Sequence, residues 1–363
     1  MKFTISKEKL LGALQKVQNI VTNRPTRPIL SNVLITTNNG TLQFTTADLD
    51  IMVQSTVEAH IEEEGSTTIP AKYLFSIIRE LVSSEIHFSV DSDHVTRIQA
   101  GTAKFTVNGL DKQEFPLFPS FENVHEFRLP QKDLLDGLRK TFYAISADET
   151  RYVLNGIMAS FKENKLTLVA TDGRRLAVVD FELEFPQSME TEFIIPTKAI
   201  NELQRTLSDE GEIRITTSEN QVAFHLANSL IISKLVDGNY PNYRQVIPGA
   251  PNERITIERE PFLNAIRRVA VINTGGSLLK LQLTRGTLTI SAEVQNIASA
   301  EEELAVQYTG RDLAIGFDSN FLMDPLRHLT EDEIYLDLID EMSAGVIKTN
   351  SPFLYVIMPM RLA

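Results

Sequence analysis

The sequence predicts an α+β protein made of three tandem copies of one unit, each with two helices on an antiparallel sheet. Two observations carry this. An amphipathic stretch occurs three times, as Ile69–Leu81 (IPAKYLFSIIREL), Ile195–Leu207 (IPTKAINELQRTL) and, more weakly, Phe317–Leu329 (FDSNFLMDPLRHL). Superposed, the copies align Leu74 with Ile200 and Leu322, Leu81 with Leu207 and Leu329, and Arg79 with Arg205 and Arg327. Other landmarks then recur in step with it, at spacings close to a third of the 363 residues. A match that brings its neighbours along is internal repetition.

Each element of the unit has a local reason. Leu74, Ile77, Ile78 and Leu81 fall at the i, i+3, i+4, i+7 spacing of a helix with one buried face, and Arg79 lies off that stripe. A second amphipathic helix opens each unit, at Ser6–Val21, Gln131–Ser146 and Glu258–Ile272. Between the helices, Thr41–Thr46, Leu166–Ala170 and Thr287–Ser291 alternate apolar and polar residues, the pattern of half-buried strands. Asp48 and Asp172 close two of these strands, and Glu293 stands in a similar place in the third. Glu-Ile opens a strand after each repeated helix (Glu85-Ile86, Glu212-Ile213, Glu333-Ile334), and Phe115-Pro116, Tyr240-Pro241 and Met358-Pro359 close the units. The expected domains are residues 1–123, 124–250 and 251–363. Pro325, inside the third copy of the repeated helix, should kink or shorten it.

Composition bounds the function. The chain is 42% hydrophobic and 23% charged, with no Cys, so thiolate nucleophiles and Cys-ligated zinc are excluded. MKFTISKEKL has no apolar signal segment and no run reaches membrane-span length, so a cytoplasmic protein with no membrane partner is expected. The net charge is -13, which at face value argues against a polyanionic partner. Its distribution argues the other way. The six expected helices, Ser6–Val21, Ala71–Val82, Gln131–Ser146, Thr197–Leu207, Glu258–Ile272 and Ser319–Leu329, hold 14 Lys and Arg against 8 Asp and Glu, so they carry +6 and the remainder -19. A cationic helical layer on an anionic body suits phosphate backbones, without base readout.

Catalytic motifs are sparse. The six His show no H-x-x-x-H spacing, and there is no glycine-rich phosphate loop or G-x-S-x-G elbow. Asp48-Leu49-Asp50 has the D-x-D form that some metal-dependent transferases use, but the repeat explains Asp48 as a strand-end residue. A metal-dependent phosphoryl-transfer enzyme using Asp48, Asp172 and the paired Arg174 and Arg175 is the alternative reading. It needs carboxylates converging on one site, whereas these two are repeat-equivalent. Two charged loops remain, NRPTRPIL (Asn23–Leu30) and ATDGRRLA (Ala170–Ala177).

These loops, with MKFTI at the start, SKLVDGNYPNYRQVIP (Ser233–Pro248) and VIMPMRL (Val356–Leu362), resemble the bacterial DNA polymerase III beta subunits, the sliding clamps. The resemblance spans the whole chain, with the motifs in the family's order. It implies the DNA clamp fold: three clamp domains per chain and a head-to-tail homodimer closed into a six-domain ring, its helices lining a hole for double-stranded DNA of any sequence. It implies no catalysis, cofactor or metal. Arg24, Arg79, Lys140, Lys198, Arg205, Arg267 and Arg268 are the expected DNA-facing cations. For the dimer contact it implies Phe105 as apolar anchor with Val271 and Ile272 opposite, and Lys72 and Arg79 facing Glu301, Glu302 and Glu303. The implied partners are the polymerase III alpha subunit, a clamp loader, and other polymerases and repair proteins bearing short peptide motifs. Their implied pocket takes Leu154, Thr171, Gly173, Arg174, Arg175, Leu176, Pro241, Val246, Phe321, Met342, Val356, Met358, Pro359, Met360 and Arg361. An apolar, Met-rich lining suits varied partners, and Arg175 and Arg361 are placed to orient a peptide's polar groups at the rim.

Overall fold

The computed structural model describes residues 1–21, 27–122, 124–273 and 276–362. The helices repeat as the sequence predicts. Helices α1 (Lys7–Val17), α3 (Gln131–Thr141) and α5 (Arg259–Val269) open the three units, and each runs into a short 3-10 turn: Gln18–Ile20, Phe142–Ala144 and Ala270–Ile272. Helices α2 (Ala71–Glu80), α4 (Thr197–Thr206) and α6 (Ser319–His328) are the repeated stretch, each 10 residues long. The Glu-Ile strands also appear in place, as Glu85–Val90, Glu212–Thr217 and Glu333–Leu338.

The sheets depart from one per repeat. The chain divides into two compact units, residues 1–132 with 198–235, and residues 133–197 with 236–363. In the first, a five-stranded sheet runs His60–Glu63, Lys2–Ser6, Glu85–Val90, Val95–Ala100, Ala103–Asn108. Beside it an eight-stranded sheet joins four strands of the first third to four of the middle third, through Ile51–Glu58 paired antiparallel with Ser229–Lys234. The second unit repeats the device. Its eight-stranded sheet joins middle and last thirds where Arg175–Glu182 pairs with Phe353–Ile357, and a four-stranded sheet ends at the edge strand Ala298–Ala305. Each third therefore splits its strands between two sheets. Pairing them across the seams satisfies backbone groups that separate sheets would leave open at their edges.

The core follows the same logic in both units. Helix α1 packs on Ile51–Glu58 and on α2, burying Leu10, Leu14 and Val17; α5 packs on Thr287–Val294 and on α6, burying Phe262, Leu263 and Ile266. Glu293 lies inside Thr287–Val294 rather than at a strand end, so it does not match Asp48 and Asp172.

Pro325 does not shorten or break its helix. Proline removes the N–H that would bond the Phe321 carbonyl four residues back. In the second unit that carbonyl accepts the Tyr355 hydroxyl instead, at 2.9 Å. Burial pushes the Tyr355 phenol up, so it stays protonated and able to donate. The helix also has its start capped, with Asp318 accepting the N–H groups of Asn320 and Phe321. Tyr355→Phe is therefore expected to cost about 1–3 kcal/mol in denaturant unfolding, by leaving a carbonyl unpaired. In a Pro325→Ala background the restored N–H should remove most of that cost, and equal costs in both backgrounds would refute the compensation.

Candidate functional site

The loop Ala170–Ala177 and the last strand meet within the second unit. Thr171 and Leu176 close the hairpin between Lys165–Thr171 and Arg175–Glu182, and Leu176 lies opposite Val356 across the seam. The turn is held by Asp172, whose Oδ1 accepts the N–H groups of Arg174 (2.9 Å) and Arg175 (3.1 Å). Gly173 sits at φ +85°, where a side chain would be strained and its Cβ would meet Arg151 Nη1 at 2.9 Å. Beyond the strand, Met358 N–H donates to the Arg174 carbonyl and Met360 N–H to that of Gly316. A Cβ on Gly316 would meet the Met360 carbonyl at 2.6 Å, so glycine there admits the C-terminal segment.

These elements make an apolar floor with an exposed rim. Leu176 and Val356 are buried with Met158, Val169, Val178, Ile194 and Val346, and Tyr240, Tyr243 and Ile247 pack against them. Leu154 is buried close to this level, while Val246, Met342, Met358 and Met360 expose 56, 69, 49 and 38% of their surface. Large apolar side chains left exposed around a buried apolar floor are the mark of a docking surface. Arg174, Pro241 and Arg361 are exposed too, and Thr171, Phe321 and Pro359 are half-buried. The sequence reading missed Met158, Val178 and Val346. Their signal is the near-continuous run of apolar or small residues in their strands, GIMASF, LAVV and GVI, which marks them as buried without showing which surface they underlie.

Arg175 has a different role from the one expected. Its Nε bonds Asp172 Oδ2 at 3.0 Å, Nη1 bonds Asp324, Nη2 donates to the Tyr143 carbonyl at 2.6 Å, and the guanidinium lies 4.2 Å over the Phe321 ring. With only 10% of its side chain exposed, it is a strut tying the turn to α6 and is not a donor for ligands. Arg361 remains exposed.

The expected DNA-facing cations divide. Arg79 and Arg267 are exposed, and among the described residues neither forms an ion pair. Lys140 is a correction: it is 5% exposed and its ammonium contacts Asp136 (3.0 Å) and Glu331 (3.5 Å). Burial pushes the Glu331 carboxyl up, but the Ser351 hydroxyl and Lys140 outweigh it and hold the group below its ordinary range. Arg205 pairs with Glu202 at 2.6 Å, Lys198 with Asp48, and Arg268 bidentately with Glu302. These three keep about half their side chains exposed, so they can still face a polyanion with part of their charge compensated. Arg24 lies outside the described residues.

Two sheet edges carry the expected dimer residues. Phe105 is 36% exposed on the edge strand Ala103–Asn108, and Lys72 is exposed on α2. On the other edge, Glu301 and Glu303 point outward while Glu302 turns back to Arg268. Glu302 is thus committed within its own chain and is not free to meet Lys72 or Arg79, a second correction. Val271 is 75% exposed and Ile272 half-buried in the turn after α5.

The carboxylates of the enzyme reading do turn-capping work. Asp48 accepts the N–H groups of Asp50 and Ile51 through Oδ1, the arrangement Asp172 makes with Arg174 and Arg175. Neither is left to bind a metal with the other. A thrice-repeated scaffold whose sheets run on from one repeat to the next, with an apolar surface left exposed at a seam, has the architecture of a clamp-type protein. Comparison with known proteins gives the particular family. The profiles of the DNA polymerase III beta subunit N-terminal, central and C-terminal domains match residues 1–119, 128–242 and 244–361. The beta sliding clamp of Chlamydia pneumoniae is 33% identical over 100% of this chain and 99% of its own. The sliding clamp of Bartonella birtlesii, solved bound to griselimycin, is 38% identical with a TM-score of 0.94, and that of Pseudomonas aeruginosa, also with griselimycin, is 32% identical with 0.96. Both cover 100% of each chain. The chain belongs to the DNA polymerase III beta subunit family: it is a sliding clamp, a processivity factor without catalytic activity.

Proposed function

We propose that two copies of this chain close head to tail into a ring of six domains around duplex DNA and tether polymerases and repair proteins to it. The proposed domains are 1–123, 124–250 and 251–363. The observation that carries the reading is the pair of open sheet edges, Ala103–Asn108 with Phe105 and Ala298–Ala305 with Glu301 and Glu303. Each presents unpaired backbone groups that a second copy can satisfy. Arg79 and Arg267, with the partly compensated Lys198, Arg205 and Arg268, supply sequence-blind attraction to phosphate. That attraction need only be weak, because a closed ring holds by topology.

The apolar floor at Leu176 and Val356 takes the short peptide motifs of the polymerase III alpha subunit, the clamp loader and repair proteins. Met342, Met358 and Met360 adapt to each, and Arg361 is the rim donor. The setting is the cytoplasm, and among the described residues no helix is long and apolar enough to cross a membrane. The test is retention on DNA. Clamp loaded on nicked circular DNA should survive a high-salt wash and leave once the circle is cut. Equal loss from circular and linear DNA as salt rises would replace topology with ordinary electrostatic binding.

A further inference from the structure

We propose that the contact between two copies of the chain is a third seam, in which Ala103–Asn108 of one copy pairs antiparallel with Ala298–Ala305 of the next in one register, Phe105 opposite Ala300 and Lys104 opposite Glu301. This rests on the ring reading above and fixes which residues meet in it. The register comes from the two seams already present within the chain. At the first, the cross-strand row Phe127, Ile215, Phe224, Ile231 ends opposite Val53. At the second, the row Ile255, Leu336, Ile347, Tyr355 ends opposite Ala177. The sheet that ends at Ala103–Asn108 has the same row, Phe3, Phe88, Ile98, Phe105, with Phe105 as its last member. On the far side of each seam, Val53 pairs with Thr46 and Ala177 with Ala170, each the sixth residue of its strand. The sixth residue of Thr287–Val294 is Ala292, and it pairs with Ala300. Phe105 thus holds the place of Ile231 and Tyr355, and Ala300 that of Val53 and Ala177.

Burial agrees with this. Ile231, Val53, Tyr355 and Ala177 are all 0% exposed, whereas Phe105 is 36% exposed and Ala300 half-buried, as the two halves of such a pair are while apart. The small side chain of Ala300 leaves room for the ring of Phe105, and the turn Ala270–Ile272 packs against the same strand. The faces agree too. Strand alternation sends Lys104 and Thr106 outward on one edge, and Ser299 and Glu301 outward on the other. Residues directly opposite in an antiparallel pair share a face, so Lys104 meets Glu301 and Thr106 meets Ser299. Among the described residues neither Lys104 nor Glu301 forms an ion pair within its own chain. The neighbouring charges leave that match intact. Arg97 is held by Asp91 at 3.0 Å and Lys2 by Glu63 at 2.5 Å, Glu303 falls diagonal to Lys104, and Lys280 lies beyond Ser291 from Glu301. A slip of one residue turns Phe105 to the outward face. A slip of two sets Phe105 against Glu302, which Arg268 holds, or Lys104 against Ser299. Only the proposed register keeps both the apolar pair and the ion pair.

The chain has no Cys, so an introduced pair reports the register directly. Thr106→Cys with Ser299→Cys sets two thiols opposite each other across the contact, at positions exposed in the single chain. Mild oxidation of the full chain should give a covalent dimer. Thr106→Cys with Glu301→Cys sets them on a diagonal, about 7–8 Å apart and too far for a disulfide, and should cross-link at least about tenfold more slowly. Equal rates, or faster cross-linking of the diagonal pair, overturn the register while leaving the ring. A wild type that sediments as a monomer removes the ring reading and the third seam with it. Lys104→Glu and Glu301→Lys should each weaken dimerisation about tenfold, because attraction becomes repulsion at two equivalent contacts. The two together should restore most of the wild-type affinity. A double variant no tighter than the single ones overturns the Lys104–Glu301 pair.

Discussion

Phe105→Ala is expected to turn the dimer into monomers at concentrations where the wild type is closed. Phe105 is only partly covered by its own chain. It stands on an edge strand with 36% of its surface exposed, paired through the backbone with Ile98. In the proposed dimer it would meet Val271 and Ile272, in the turn after α5, as a central apolar anchor, and truncating such an anchor costs about 2 kcal/mol or more. A head-to-tail dimer makes the contact twice, so complete dissociation loses it twice. The combined cost, about 4 kcal/mol, weakens dimerisation roughly a thousandfold. Sedimentation across a concentration series measures this. A wild type that is monomeric at micromolar concentration, or a Phe105→Ala protein that stays dimeric, removes the edges from the proposed contact.

Arg175→Ala is expected to destabilise the second unit and loosen the peptide surface together. The change takes the guanidinium from two carboxylates whose side chains are only 18 and 20% exposed, leaving Asp172 its turn N–H groups and Asp324 the longer contact to Arg327 at 3.5 Å, and it takes the donor from the Tyr143 carbonyl. Removing one partner of a largely buried ion pair costs about 3 kcal/mol. Arg175→Lys should recover only part of it, because an ammonium cannot reach Asp172, Asp324 and a carbonyl in one plane or stack on Phe321. Peptide affinity should fall in the same order, wild type above Lys above Ala, since the turn that carries Arg174 and accepts Met358 N–H is no longer fixed to α6. Wild-type stability in the Lys variant would show that the fork geometry is irrelevant.

Much of the fold was legible because its signals are local. The spacing of Leu74, Ile77, Ile78 and Leu81 marks a helix whatever lies opposite it, and the three copies of that helix end within a residue or two of where the repeat puts them. The strand-end places of Asp48 and Asp172 are likewise local, while their bonds to N–H groups two and three residues on emerge only in the structure. The apolar surface at Leu176, Val356 and Met358 is legible in the sequence through the family resemblance and the apolar, Met-rich set of residues it implies.

By itself, then, the sequence determined the threefold repeat, the six helices and the strand starts, because each depends on neighbours within a few residues. Tertiary structure alone decided which charges stay free and which strands pair. Lys140 looks like any helix-surface cation until Glu331, 191 positions away, meets it in the second unit. Arg175 looks like a rim donor until Asp324 and Tyr143 use its guanidinium, and Glu302 like part of an outward acid run until strand alternation turns it to Arg268. Pro325 reads as a kink or a shortening, and Tyr355 from the last strand supplies a donor to the carbonyl that the proline leaves without one. Each of these rests on a partner distant in the chain. Periodicity reports which face of an element is buried, and the group that comes to lie against that face is set only when the strands join across the seams.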